Sequence, residues 1–336
     1  MQLPKHQRCI SHTINLIATT GMMKSINKTV AMRTRHTNII NKCLQLWCKA
    51  GRPKSAEIIK EVLGHHLSYP GITRWNSYYA SVNQIVSERD KLPTLYEKLS
   101  IKQFLLKENE VEYLVEYLKV LKPLASALDI LQADTNIYYG FVIPTIASLK
   151  IKLEKLKVEG LRYLSSTVND LLISISRRFR EYLTFQNEDA ILAAVSHPAF
   201  KMRWVTLFKG ERDLSQVSEN IKRLFVRAVE ELTLASESEV GEELSKQTSI
   251  NDFFEFDDYD VHGGDHPITV NSKSGKAELE CLQYLQDPLS ELAMFNKYKY
   301  VQKLFFRYNT ALPSSAAVER MFSYATFIDT PRIIRH

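Results

Sequence analysis

Glycine and proline are scarce in this chain, with 11 of each among 336 residues. Such a low content argues against an all-β or a disordered chain and favours helices. The sequence contains no apolar run of about eighteen residues, the length that a transmembrane helix needs, so we expect no membrane partner. Residues 1–8 are polar and lack the apolar segment of a secretory signal.

Cysteine is also rare, and the four cysteines lack the paired spacing of a zinc site. No export signal is expected, so we interpret them as reduced thiols in an intracellular protein. They are Cys9, Cys43, Cys48 and Cys281.

Acidic residues are missing from the beginning of the chain. Residues 1–60 carry eleven Lys and Arg against one acid, Glu57, a net charge of +10. Residues 237–265 carry ten acids against Lys246, a net charge of −9. A basic segment suits a polyanionic partner such as nucleic acid, because bound phosphates release their counterions. Basic residues that merely keep one face soluble would give the same count.

The overall composition, 45% apolar and 24% charged, is that of a globular protein with a core. From residue 111 to about 234, apolar residues recur at spacings of three and four, which predicts successive helices with a kink or break at Pro123. Further helices are predicted at 277–285 and 291–308. The basic cluster Arg177–Arg180 is interpreted as a solvated face, with phosphate contact as the alternative.

One C-terminal stretch has an unusual pattern, Leu312–Ser323, which reads Leu-Pro-Ser-Ser-Ala-Ala-Val-Glu-Arg-Met-Phe-Ser. A helix is predicted to begin after Pro313, with a serine as its N-cap. Glu319 lies among apolar residues of this helix. A buried carboxylate is costly unless it is paired or bound to a metal, so Glu319 is either a metal ligand or, more commonly, a surface charge.

The order of residues in this stretch resembles the C-terminal block of the hAT superfamily of DNA transposases and of genes domesticated from them. In that family the block belongs to the dimerisation region, and its Glu is the last member of an Asp-Asp-Glu metal-binding triad. The resemblance implies that Glu319 descends from a catalytic residue. It also implies a group of dimerisation or packing residues: Leu292, Phe295, Phe305, Phe306, Leu312, Met321 and Phe322.

Two further blocks occur in the order that the resemblance requires. Arg-Cys-x-x-His-x-x-Asn-Leu at residues 8–16 is similar to the block where a strand of an RNase H-like core turns into a helix. Thr-Arg-Trp-Asn-Ser at residues 73–77 is similar to the start of a helical domain inserted in that core. From spacing alone, Cys9 and His12 are packing residues. The resemblance makes four residues candidates for DNA contact: Cys9, His12, Arg74 and Trp75.

The resemblance predicts a mainly α fold, in which a large helical insertion domain is flanked by remnants of an interrupted RNase H-like α/β core. At most one remnant strand is expected, near Arg8–Ile10, and the two ends are expected to have only each other to pack against. Four parts follow: 1–34 as the core remnant, 35–236 as the all-helical insertion domain, 237–275 as an acidic, disordered linker, and 276–336 as a truncated dimerisation region.

Cleavage by such a nuclease needs two divalent ions held by three carboxylates. In the family both Asp residues precede the Cys-x-x-His block, whereas the first Asp of this chain is Asp90. We therefore expect a protein that is not an enzyme and that binds no cofactor, with Mg²⁺ expected only in an intact family member. The resemblance implies a nuclear location. Its expected partners are itself or related hAT-derived proteins and, weakly, DNA; no small-molecule substrate is evident.

Two alternatives remain open at this stage. In the first, the chain is a C-terminal fragment of an intact cut-and-paste transposase, whose two catalytic Asp residues lie upstream of Met1. In the second, it is a transposon relic without function.

Overall fold

The computed structural model describes residues 9–70, 75–133, 135–210, 213–237 and 272–315. These residues form helices joined by short turns and contain no β-strand, which confirms the mainly α prediction. The helices are α1 Ile10–Leu16, α2 Met22–Ile26, α3 Val30–Ala50, α4 Pro53–Leu63, α5 Trp75–Ser87, α6 Leu92–Lys98, α7 Glu108–Leu131, α8 Val142–Glu159, α9 Ser165–Arg178, α10 Arg180–Leu183, α11 Glu188–Ser196, α12 Leu214–Glu237, α13 Ser272–Gln286 and α14 Lys299–Asn309.

In the described parts of the chain, no helix combines the length and apolar character needed to cross a bilayer.

The prediction of a remnant strand is wrong at Ile10, where α1 begins; Arg8 lies outside the described residues. A π-helical turn, Ile17–Gly21, joins α1 to α2, and the isoleucines on the inner face, Ile10 and Ile14 among them, are fully buried. A spacing of four residues places these side chains on one side of a helix, so burying them favours helix over strand at this position.

The N-terminal helices pack on the helical middle of the protein. Helix α1 contacts α7, and α2 contacts α9. The expectation that the two ends have only each other to pack against is therefore wrong. The predicted boundary between 34 and 35 lies inside the continuous helix α3, and the predicted boundary between 275 and 276 lies inside α13.

A kink or a break was predicted at Pro123; helix α7 runs through this residue as one helix, so the break is wrong. Proline removes one backbone hydrogen bond and crowds the preceding turn, at a cost of about 3 kcal/mol. Apolar residues on both sides of Pro123 are almost fully buried, including Val120, Leu121 and Leu124. Each such side chain stabilises the folded helix by about 2 kcal/mol, which together exceeds the cost of the proline.

The predicted helix over 291–308 is two elements, a 3-10 turn at Leu292–Asn296 and helix α14. A carboxylate from another helix begins α14, because Glu280 Oε1 accepts the backbone N–H groups of Tyr300 at 2.7 Å and Val301 at 3.0 Å. The Tyr298 hydroxyl donates to Asp287 Oδ2 at 2.7 Å and so fixes the residue at the break. The apolar periodicity of the sequence continues across the break and therefore predicted one helix. The contacts of Glu280 and Tyr298 divide it into two elements.

A buried amide attaches α14 to the helical middle. Asn309 Oδ1 accepts the backbone N–H of Gly140 at 2.8 Å, and its Nδ2 donates to Ala193 O at 3.1 Å and to Ser196 Oγ at 3.2 Å. Position 140 must be glycine, because a Cβ there would lie 2.5 Å from Ala193 O. Asn309 thus connects three elements, α14, α11 and the turn before α8.

Replacing Asn309 with alanine is expected to destabilise the protein by about 2 kcal/mol, because the buried N–H of Gly140 and carbonyl of Ala193 lose their partner. Denaturant unfolding followed by circular dichroism measures this loss as a lower midpoint at an unchanged slope. The matched control is Asn296→Ala at an exposed position, which should change the unfolding free energy by less than about 0.5 kcal/mol. Equal midpoints for the two variants would contradict the proposed role of Asn309.

His197 lies in an aromatic cage made by the rings of Tyr138, Phe141, Phe200 and Phe305, with centroids 5.1 to 5.6 Å from its own. Its Nδ1 accepts the backbone N–H of Ala199 at 3.2 Å, and its Nε2 is buried without a hydrogen-bond partner. Burial lowers the pKa of His197 to about 4. The imidazole is therefore neutral in the folded protein at neutral pH.

We expect His197 to make the protein less stable as the pH falls from about 6.5 to about 4. In that window the unfolded histidine takes up a proton that the folded one does not, so the unfolding free energy falls by up to about 1.4 kcal/mol for each pH unit. Below pH 4 both states are protonated and the loss is complete. Urea unfolding at several pH values should show a smaller dependence in His197→Phe. Parallel profiles for the two proteins would refute the expectation.

Candidate functional site at the junction of the terminal segments

Cys9 is the N-cap of α1, with the non-helical backbone angles φ −59° and ψ 116°. Its Sγ accepts the backbone N–H of His12 at 3.4 Å, and its carbonyl accepts the Thr13 hydroxyl at 3.0 Å. These bonds satisfy N–H and hydroxyl groups in the first turn of the helix. The structure therefore gives Cys9 a local role, which is to cap α1, and His12 contributes only its backbone N–H to it.

The segment Pro313–Ser315 lies directly against Cys9. Ile10 donates its backbone N–H to Pro313 O at 3.1 Å, while the backbone N–H and the hydroxyl of Ser315 contact Cys9 Sγ at 3.4 and 3.5 Å. A small cavity of about 190 Å³ remains at this junction, with Tyr139 and Leu312 in its wall. Two sequence blocks some 300 residues apart thus meet at the start of α1.

The third block lies partly outside the described residues, which exclude Arg74 and the side chain of Trp75. Trp75 is the first residue of α5, which packs along α7, the helix that α1 also contacts. Asn76 in the same block donates from Nδ2 to Asp129 Oδ1 at 2.5 Å. The described part of each block therefore belongs to α1, contacts α1, or lies in a helix that packs on α7.

Of the candidate DNA contacts, His12 is exposed on α1 and Cys9 is partly buried. Two of the basic residues counted near the N-terminus are paired with acids from the helical middle, Lys28 with Asp170 at 2.5 Å and Lys42 with Glu110 at 2.7 Å. These pairs remove part of the positive charge that the sequence assigns to this end of the chain.

Glu319, Met321 and Phe322 lie outside the described residues. Among the residues that the structure does describe, no three His, Cys, Asp or Glu side chains come close enough together to hold a metal ion.

The five described dimerisation or packing candidates divide into two groups. Phe295 and Phe305 are buried and pack on each other with ring centroids 4.8 Å apart, so they are packing residues. Leu292, Phe306 and Leu312 are exposed.

Three more exposed apolar residues in this region were not predicted. Leu279 and Leu282 lie on α13, and Leu289 follows it. The buried face of α13 is formed by Ala277 and Cys281 among others, and residues 279 and 282 fall on the opposite side of the helix. The sequence predicted a helix at 277–285, but not which of its apolar residues face outward, because that depends on the elements it packs against.

No protein-family model matches the chain, and no curated protein is similar enough to count as a match.

Replacing Cys9 with valine is expected to loosen the junction, because valine cannot accept the N–H groups of His12 and Ser315. Loss of a helix cap typically costs about 1 kcal/mol, so amide exchange at His12 should accelerate about fivefold. Hydrogen–deuterium exchange measures this rate. Cys9→Ser should keep protection, since serine is a good N-cap, and Cys48→Ala on the exposed side of α3 is the control. Unchanged exchange in Cys9→Val would show that the cap is unimportant.

Proposed function

We propose that this chain derives from a hAT transposase and acts by associating with a second copy of itself or with a related protein, without cutting DNA on its own. The proposed origin draws support from the junction of Cys9 with Pro313–Ser315. If the short motifs matched the family only by chance, there would be no reason for them to be neighbours in the folded protein. Remnants of one nuclease core, in contrast, are expected to lie together.

The proposed association depends on one observation, the concentration of exposed apolar side chains in residues 272–315. Six of the thirteen large apolar residues that are exposed in the described chain belong to this short region. Leu289 and Phe306 expose 58% and 55% of their surface. Single exposed leucines are common on soluble proteins, but several on neighbouring elements indicate an interaction surface. The six residues are Leu279, Leu282, Leu289, Leu292, Phe306 and Leu312.

The region can present these side chains because its inner face is fixed to the rest of the protein. Helices α13 and α14 pack on each other and on α12, and the Tyr284 hydroxyl donates to Ser196 O at 2.7 Å. Lys201 donates to Leu289 O at 2.8 Å, which holds the loop after α13. Apolar side chains on elements held in this way would bind a second copy with little loss of conformational entropy. Two identical surfaces related by a twofold axis would complete the contact.

The absence of cleavage is inferred from the carboxylates of the chain. A two-metal nuclease needs three of them, and Glu319 has no Asp ahead of residue 90 as a partner. DNA binding, if retained, would be weak and independent of sequence, and it would use cations such as Lys24 and Arg33, which have no ion-pair partner among the described residues. A nuclear location follows from the same proposed origin.

We expect the double variant Leu282→Lys/Phe306→Lys to weaken self-association at least about tenfold, because two charges would be buried at the contact. Size-exclusion chromatography with light scattering, over a wide range of protein concentrations, measures the association. The matched control is Val158→Lys at the exposed end of α8. A wild-type protein that stays monomeric at every concentration would overturn the proposal, and so would equal association of the wild type and the double variant.

A further inference from the structure

A groove of about 670 Å³ runs between α8 and α9, away from the residues used so far. Its apolar part is formed by Leu172, which is buried, and by Ile173, which exposes 59% of its surface. An isoleucine this exposed in the wall of a groove leaves apolar surface in water that a ligand could cover.

The charged residues of the groove are mainly cations. Lys157, Arg177 and Arg180 line it and make no ion pair with any described residue. The one acid in the lining, Glu154, is paired with Lys150 at 3.1 Å. Lys157 donates to the neutral Asn169 Oδ1 at 3.0 Å and keeps its charge uncompensated. The groove therefore combines an apolar wall with three cations whose charge no described acid balances.

We propose that this groove binds an acidic peptide that also carries aromatic or aliphatic side chains. Carboxylates would pair with Arg177 and Arg180, whose guanidinium groups accept them in a two-pronged geometry. The apolar side chains would cover Ile173 and Leu172. We infer the negative charge of the ligand from the three cations. We infer its apolar side chains from the exposed Ile173.

The same observations disfavour nucleic acid as the occupant. Single strands bind grooves in which bases stack on aromatic rings, and none of the described residues that line this groove is aromatic. Phosphates alone would pair with the cations but would leave Ile173 uncovered. A peptide with both kinds of side chain satisfies both parts of the surface.

The test uses the full chain and a fluorescent synthetic peptide with the sequence of residues 249–260, which contains five acidic and four aromatic residues. Fluorescence anisotropy should show saturable binding that weakens as salt rises from about 0.05 to 0.3 M, because exposed charges are screened. Arg177→Glu/Arg180→Glu should bind at least about tenfold more weakly. Ile173→Ser should bind about fivefold more weakly, since it loses apolar contact without any change in charge.

The control for net charge is Lys119→Glu/Lys122→Glu, which reverses two exposed cations of α7 outside the groove lining and should bind within about twofold of wild type. Three results would overturn the proposal. The first is no saturable binding below about 1 mM peptide, a limit weaker than specific recognition, in the full chain and in a variant whose own residues 249–260 are replaced by a Gly-Ser segment of equal length. The second is an equal loss of binding in the control and in the groove variant. The third is binding of single-stranded DNA that depends on Arg177 and Arg180 while peptide binding is unaffected by Ile173→Ser.

Discussion

The buried side chain of Asn309 determines how the C-terminal helices are placed. It bonds to the turn before α8 and to α11 at the same time, and it does so in a space where Gly140 admits no Cβ. Pro313 follows Asn309 by four residues, so the position of the Pro-Ser-Ser segment depends on this amide. The hydrogen bonds of Pro313–Ser315 with Cys9 and Ile10 therefore involve a segment that begins four residues after the helix that Asn309 ends.

Sequence periodicity predicted the class of fold because it reports which side of a helix is apolar, and burial in the structure follows those stripes. The periodicity could not predict contacts between residues that are far apart in the sequence. Glu280 accepts the backbone N–H of Tyr300 at the start of α14, and Tyr298 bonds to Asp287 at the break before it. In both pairs the two residues are more than ten positions apart in the sequence. The same limit applies to the candidate site. Phe305 and Phe306 look alike in the sequence, yet the first packs on Phe295 and the second faces outward, since adjacent helix positions point about 100° apart.

The net charge counted along a segment of the sequence also differs from the charge that the segment leaves unpaired in the folded protein. The basic N-terminal segment gives up part of its charge to Asp170 and Glu110, which come from helices of the middle region. By contrast, Arg177 and Arg180 of the basic cluster keep their charge unmatched beside Ile173. A surface that attracts an anionic partner is thus defined by which cations lack a neighbouring acid, and the net charge of a segment does not report this.

The two proposed surfaces differ in the kind of partner they can select. Helix α13 exposes Leu279 and Leu282, and α14 exposes Phe306. Apolar surface discriminates by shape, so a second copy with the same shape is a natural partner. The groove between α8 and α9 selects by charge as well, because an apolar partner alone would bury Arg177 and Arg180 without compensation. The two contacts can therefore be weakened separately, by charge inserted among the leucines and by charge reversed in the groove.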